Sequence, residues 1–182
     1  MPAQLSHRLS QCKLAADSWH HLHPRRHSHR LPNGDYLGLA ETASPVGGVF
    51  DESMRVYRRG GASPAVVEEL ISVPVRKSSY AHSFGLTRGD NGMHAIVIEQ
   101  PLHYNIMGLM RTGTLQAGFK EEPGDVTRFH VMPLAGGEPI TIEGPRFFFG
   151  HVVNSFSRGG GNFTIDANIQ DQVWASQTRV HA

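Results

Sequence analysis

Histidines are the side chains of this chain that could do chemistry. The sequence has 12 of them in 182 residues, and they are unevenly placed. Others, such as His82 and His151, are scattered, but five crowd one short segment: His20, His21, His23, His27 and His29. A neutral imidazole is a common metal ligand, yet most histidines in proteins are only hydrogen-bonded or exposed. The surrounding motif must therefore separate ligands from structural histidines.

The element that must position His82 is a predicted hairpin. Residues 79–86 alternate polar and apolar side chains, and residues 93–98 form an apolar run interrupted only by His94, two patterns typical of half-buried strands. Between them, residues 88–92 read Arg-Gly-Asp-Asn-Gly, and Gly and Asn reach positive φ at low cost. The pattern predicts two strands joined by a turn, with His82 near the tight end.

Two motifs carry a resemblance to a known family. Residues 80–85, Tyr-Ala-His-Ser-Phe-Gly, followed by Ile-Glu-Gln-Pro at 98–101, resemble the signature hairpin of the carotenoid cleavage oxygenases. Residues 147–156 contain His-Val-Val-Asn and are similar to the His-x-x-Asn segment of the same family. Two motifs in the right order are much more specific than either one alone.

The resemblance implies a metal centre with His82 and His151 as ligands of a catalytic ferrous ion, Fe(2+). A third ligand is implied near residues 27–29, His-Ser-His, where the family has His-Pro-His before a turn and a strand. This alignment selects His27, with His23 and His29 as competitors. The family's fourth histidine and the glutamates that orient the ligands are absent from this sequence, and metal affinity should fall without such carboxylates. Three neutral histidines can still form one face of an octahedron.

The implied function is that of a non-haem Fe(II)-dependent dioxygenase. Its substrates would be dioxygen and a carotenoid or apocarotenoid, of which one conjugated carbon–carbon double bond is cleaved. Stilbenoid cleavage and retinoid isomerisation are runner-up chemistries on the same scaffold. The alternative from a different class is a truncated, non-catalytic fragment of such an enzyme, acting at most as an apolar-ligand or partner-binding chain.

The fold prediction follows from short strands separated by Gly and Pro, which indicate an all-β, antiparallel architecture. The resemblance implies part of a seven-bladed β-propeller with antiparallel four-stranded blades, truncated at both ends. Residues 1–30 are interpreted as an irregular N-terminal extension and residues 31–182 as the partial propeller domain. Residues 102–116 are predicted as a helix or an apolar insertion, and His130 as a structural residue.

Composition excludes several functions. Lys and Arg number 17 against 16 Asp and Glu, so no basic field exists to bind a nucleic acid. The most apolar short stretch, residues 106–110, could only touch a membrane surface, which leaves peripheral membrane contact open. The single Cys12 excludes an intrachain disulfide framework.

Cytoplasm and plastid are both compatible with the sequence, and the oligomeric state is undetermined. A cupin is discounted because no Glu follows His27-Ser-His29 at the short spacing that its motif needs.

Overall fold

The computed structural model describes residues 28–42, 52–63 and 66–170, and in these ranges most of the chain is antiparallel sheet. The first sheet has the order β1-β2-β3-β4, with β1 His29–Arg30, β2 Tyr36–Thr42, β3 Ser53–Arg59 and β4 Val67–Pro74. The second has the order β10-β9-β6-β5, with β5 Phe84–Gly89, β6 Gly92–Glu99, β9 Thr127–Pro133 and β10 Ile140–Gly144. A further hairpin pairs β11 Phe148–Gly159 with β12 Asn162–Gln170.

The first sheet begins earlier than the sequence predicts. A turn at residues 31–35, with Gly34 at φ 89°, brings β1 back to pair with β2, so that His29 lies opposite Leu37. Residues 29 and 30 therefore belong to a strand and not to an irregular extension. Residues 1–27, including His27, lie outside the described part of the chain.

The central hairpin is present, but its first strand is shorter than predicted. The tight turn lies at residues 90–91, with Gly92 at φ 113°, whereas His82 precedes β5 at the opposite, open end. Residues 78–80 are extended but pair with β7 (Leu102–Tyr104), since the Tyr80 N–H donates to the Leu102 carbonyl at 2.8 Å. The alternation of side chains revealed pleated backbone but not its pairing partner.

An insertion joins β6 to β9 within the second sheet. It contains β7, the helix α1 (Ile106–Thr112), a 3-10 turn (Gln116–Gly118) and β8 (Phe119–Glu121). The Asn105 side chain caps α1 by accepting the Gly108 N–H at 3.1 Å, and Gly113 ends the helix at φ 68°. This confirms the predicted helical insertion. Helices within the described ranges are too short or too polar to cross a membrane.

The core lies where the two four-stranded sheets pack against each other. One cluster of buried side chains draws on both sheets: Leu37, Met54, Val56, Ile71 and Val73 from the first, and Phe84, Ala95, Val97 and Met132 from the second. Buried Ile71 and Val73 alternate with exposed residues at the end of β4, whereas residues 95–99 of β6 are all buried, which indicates that both faces of this central strand are covered. The sheets are thus held face to face, and their edge strands are β1 and β4 in the first and β5 and β10 in the second.

Candidate metal centre

The centre is built where β5 and β11 run side by side. The Val152 N–H donates to Ser83 Oγ at 2.6 Å, and Ser155 Oγ donates to the Leu86 carbonyl at 3.1 Å. Both bonds join residues 69 positions apart, so the two segments run parallel in constant register. Residues in the same register position are therefore neighbours across the sheet boundary.

His82 and His151 occupy one such position, because they too are 69 positions apart. Their ring centroids are 4.9 Å apart and the planes are inclined by 74°. Two imidazoles bound to adjacent corners of an octahedral ion at about 2.1 Å would have centroids roughly 4.5 Å apart. The pair therefore fits two cis positions of one metal ion. His82 is half-buried and His151 is exposed.

Tyr80 orients the His82 ring. Its hydroxyl lies 2.9 Å from His82 Nδ1, and the two rings stack at 5.3 Å with an interplanar angle of 15°. Phe119 packs edge-on against Tyr80 at 5.3 Å. When Nδ1–H donates to the hydroxyl, the Nε2 lone pair is available to a metal, which is the usual role of a group hydrogen-bonded to a ligating histidine. Sequence reasoning missed Tyr80, although its place two residues before His82 in an extended segment puts both side chains on one face.

A β-bulge presents His151. The pairing of β11 with β12 shifts register between Phe149 and Val152, so that Gly150 and His151 both lie opposite Asn168. The Asn168 Oδ1 accepts both freed backbone N–H groups, at 3.1 Å from Gly150 and 2.5 Å from His151. Bulges bend a strand and redirect its side chains. The sequence gives no signal for this bulge, so Asn168 was also missed.

Gly85 allows the two segments to approach. A Cβ at this position would lie 2.8 Å from Cβ and Oγ of Ser155, closer than real contacts allow. The glycine of the His-Ser-Phe-Gly motif is therefore explained by packing against β11. It sets the distance between the strands that bear the two histidines.

His29 is held by the neighbouring sheet. Its Nε2 lies 2.9 Å from the Phe84 carbonyl oxygen, and its ring meets the Phe84 ring edge-on at 4.7 Å. The contact joins residues 55 positions apart. The same 55 positions separate His27 from His82 in the sequence. His23, like His27, lies outside the described residues.

Two other histidines face buried carboxylates, one in β9 of the second sheet and one in β7 of the insertion. His130 Nε2 lies 2.9 Å from Glu99 Oε2, and His103 Nε2 lies 2.7 Å from Asp125 Oδ2, with all four side chains buried. The contact of His130 agrees with the structural role predicted for it. Burial raises the pKa of Asp125, but hydrogen bonds from His103, the Val126 N–H and neighbouring groups outweigh that effect and lower the pKa overall.

One further group in the described part of the chain has metal-ligand chemistry. Ligand atoms of His103, Glu122 and Asp125 lie within 4.8 Å of one another. However, Arg76 lies 2.9 Å from Glu122 and Arg128 lies 3.2 Å from Asp125. Since these guanidinium groups already neutralise the carboxylates, the group is an ion-pair network and a poor site for a second cation.

Glu41 adds a buried carboxyl near His82. Its Oε1 is shielded from solvent, and the carboxyl is hydrogen-bonded by the Tyr104 hydroxyl and the backbone of Ala81, the residue before His82. Burial raises the pKa of Glu41 well above its usual value, because these bonds offset only part of the desolvation. The protonated carboxyl is thereby favoured beside the segment that bears His82.

Comparison with known proteins agrees with this arrangement. A family model described as "Retinal pigment epithelial membrane protein" matches residues 27–180. The chain is 25% identical over 176 residues to a carotenoid isomerooxygenase of Drosophila melanogaster, covering 85% of this chain and 26% of that protein. It is 34% identical over 112 residues to the mitochondrial carotenoid-cleaving dioxygenase of Homo sapiens, covering 58% of this chain and 18% of that protein.

Solved structures show the same fold. Cobalt-substituted Synechocystis ACO, an apocarotenoid oxygenase, superposes with a TM-score of 0.58 at 16% identity, over 83% of this chain and 30% of that one. An ACO/RPE65 chimera in a trigonal crystal form gives a TM-score of 0.61 at 17% identity, over 81% of this chain and 30% of the chimera. The predicted architecture is confirmed. The two four-stranded sheets are blades of a β-propeller, and the β11–β12 hairpin is part of a further blade.

Proposed function

The chain belongs to the carotenoid cleavage oxygenase family, and from this membership we propose that it supplies three ligands of the iron centre of a non-haem Fe(II)-dependent dioxygenase. The substrate class is a carotenoid or apocarotenoid, cleaved by dioxygen at a conjugated double bond. The observation that carries the proposal is the cis-octahedral spacing of the His82 and His151 rings, 4.9 Å apart at the boundary of two blades.

His27 is the proposed third ligand. The contact between His29 and Phe84 relates β1 to β5 by 55 positions, and the same offset relates His27 to His82. His29 is the weaker choice because its Nε2 is already bonded to a backbone carbonyl. This reasoning supports the alignment to His27 and leaves His23 without a comparable argument.

The chain's own residues would hold the ligand rings in a fixed orientation. When bound, ferrous iron would supply the redox chemistry by which both atoms of dioxygen enter one carbon–carbon double bond, leaving two carbonyl groups. Tyr80 bonds the Nδ1 side of His82, so Nε2 is the atom that would bind the ion. Because a ligating imidazole must be deprotonated, metal affinity should decline at acidic pH.

A second candidate function rests on the insertion. Four of its apolar side chains are exposed, with Met110 at 74% and Leu115 at 68%, the other two being Met107 and Leu109. Such a surface suits an apolar ligand, a partner or a membrane surface. It supports the alternative of a non-catalytic binding chain and is compatible with the enzymatic proposal.

Metal binding is the first test, because the chain spans only about a quarter of the length of its curated relatives. The purified chain would be loaded anaerobically with ferrous ion, and iron content and size in solution recorded on the same sample. We expect close to one ion per chain. His82→Ala and His151→Ala should each lower affinity about 100-fold or more, since each removes a ligand.

His94→Ala is the matched control. His94 is a half-buried histidine at the turn end of the same hairpin, where its Nδ1 lies 3.1 Å from the Gly92 carbonyl oxygen. This variant should keep its iron. Full iron retention by both ligand variants would show the assignment to be wrong. Parallel Ala variants of His27, His23 and His29 identify the third ligand, with the loss expected for His27.

A further inference from the structure

The buried Gln100 joins the two segments that carry the histidines. It follows β6 and is 1% exposed. Its Nε2 donates to the Tyr80 carbonyl and, at 3.3 Å, to the Phe149 carbonyl. Its Oε1 accepts the Phe149 N–H at 3.0 Å. One amide therefore uses both its donors and its acceptor on the backbone of two different blades.

The two bridged residues have equivalent places in the sequence. Tyr80 lies two residues before His82, and Phe149 lies two residues before His151. Gln100 thus joins the two blades at positions two residues before each histidine, the spacing at which a strand returns to the same face. On the other side of the pair, the bond from the Val152 N–H to Ser83 Oγ ties the same segments.

We propose that Gln100 is a positioning residue that fixes the separation of His82 and His151 across the blade boundary; the inference rests on the metal centre proposed above. Only an amide side chain can donate two hydrogen bonds and accept one at this place, so Glu and Met cannot replace it. A metal site depends on ligands held to within about 0.5 Å, and fully satisfied buried polar networks provide that rigidity.

Thr127 offers a matched control on the same boundary. It is 0% exposed, its Oγ1 accepts the Phe147 N–H at 3.2 Å, and the hydroxyl donates to the Phe147 carbonyl at 3.4 Å. Like Gln100, it bridges from the second blade to the backbone that leads to His151. Its bonds are two residues further from the histidine.

The experiment is titration of the full chain with Co(II), followed by the visible absorption of the bound ion, alongside urea unfolding of the metal-free protein. Gln100→Met should lower Co(II) affinity by about 10- to 100-fold and change the absorption spectrum, as loss of outer-shell support does in other metal sites. Gln100→Asn keeps the amide on a shorter arm and should lie between Met and wild type. Thr127→Val should lose stability but keep affinity within about threefold.

Each outcome decides the proposal. Unchanged affinity and spectrum in Gln100→Met would overturn it, as would an equal loss of affinity in Thr127→Val, which would indicate a general packing effect. If Gln100→Met fails to fold, Gln100→Asn decides on the same criteria. Failure of the wild-type chain to bind Co(II), or binding that survives His82→Ala, would overturn the metal centre itself. Wild-type binding that needs His82 but not Gln100 would overturn this inference alone.

Discussion

Two pairs of histidines in this protein differ in what they contact. His130 lies in β9 of the second blade and His103 in β7 of the insertion, and the Nε2 of each faces a buried carboxylate oxygen. His82 and His151 lie at the boundary of two blades, where their rings face each other. The difference teaches that a buried histidine bonded to a carboxylate is already committed to the packing around it, whereas the two rings brought together by neighbouring strands are the ones proposed as metal ligands.

The anchoring pair belongs to a continuous polar network. Arg128 lies 3.2 Å from Asp125 and 3.4 Å from Glu99, so one guanidinium joins the two carboxylates that hold the histidines. Burial alone would lower the pKa of Arg128, but the two carboxylates raise it overall. Buried charges that are paired and hydrogen-bonded stabilise only as a complete set. The boundary pair instead lies on strands joined by the Ser83 and Ser155 hydroxyls, with the Tyr80 hydroxyl 2.9 Å from His82 Nδ1.

The largest expected contrast comes from His130→Ala. The change leaves a cavity and removes a partner of the buried Glu99, so the free energy of unfolding should fall by about 2–4 kcal/mol. Co(II) affinity of the folded variant should stay within about threefold of wild type. Urea unfolding and metal titration on the same preparation measure both quantities. A variant with intact stability and no metal would reverse the roles assigned to the two pairs.

Gly85→Ala tests the close approach that brings the second pair together. The added methyl group would press on Ser155, so we expect a loss of about 1–3 kcal/mol in stability and about tenfold in Co(II) affinity. Gly118→Ala is the control, because its Cβ would meet Leu109 at an ordinary 3.4 Å. Equal metal affinity in both variants would argue that strand separation at Gly85 does not control the centre.

Local pattern in the sequence was sufficient for much of the fold. Alternation and the Gly-containing turn predicted β6 to within about one residue at each end, and a helix lies within the insertion predicted at residues 102–116. The strand with which each segment pairs could not be predicted from local pattern. Residues 79 and 80, predicted as the start of the first strand of the hairpin, pair instead with β7 of the insertion, a partner that local pattern does not reveal.

In the candidate metal centre, too, the residues in sequence motifs were predicted and the residues that act through distant contacts were not. His82 and His151 were assigned by motif, and the structure brings their rings together. Asn168 and Gln100 act through backbone groups far away in the chain, which no local spacing reveals. The assignment of His27 stays a prediction, since it lies outside the described residues.

Asn168→Ala should have a smaller effect, because it removes an acceptor rather than a ligand. Two backbone N–H groups at the bulge would lose their partner, so we expect about 1 kcal/mol less stability and a three- to tenfold lower Co(II) affinity. Asn168→Asp keeps an accepting oxygen and should restore affinity. If Ala and Asp behave alike, the bulge is not held by this side chain.

The smallest expected effect is on the pH dependence of stability, because the pKa values of Glu41 and Asp125 are shifted in opposite directions. Glu41, beside the His82 segment, has a pKa raised by burial, so its contribution to stability is present below its usual value of 4.5 and is lost as the pH rises through the folded-state pKa. Asp125 has a lowered pKa, so its contribution is present above its usual value of 3.8 and is lost as the pH falls. Urea unfolding of wild type and Glu41→Gln between pH 4 and about pH 8 should therefore diverge, with the variant gaining stability relative to wild type as the pH rises. Asp125→Asn should diverge from wild type in the opposite sense, at pH values below about 3.8. Parallel curves for wild type and Glu41→Gln would mean that Glu41 titrates normally and that the two regions do not differ in their carboxyl chemistry.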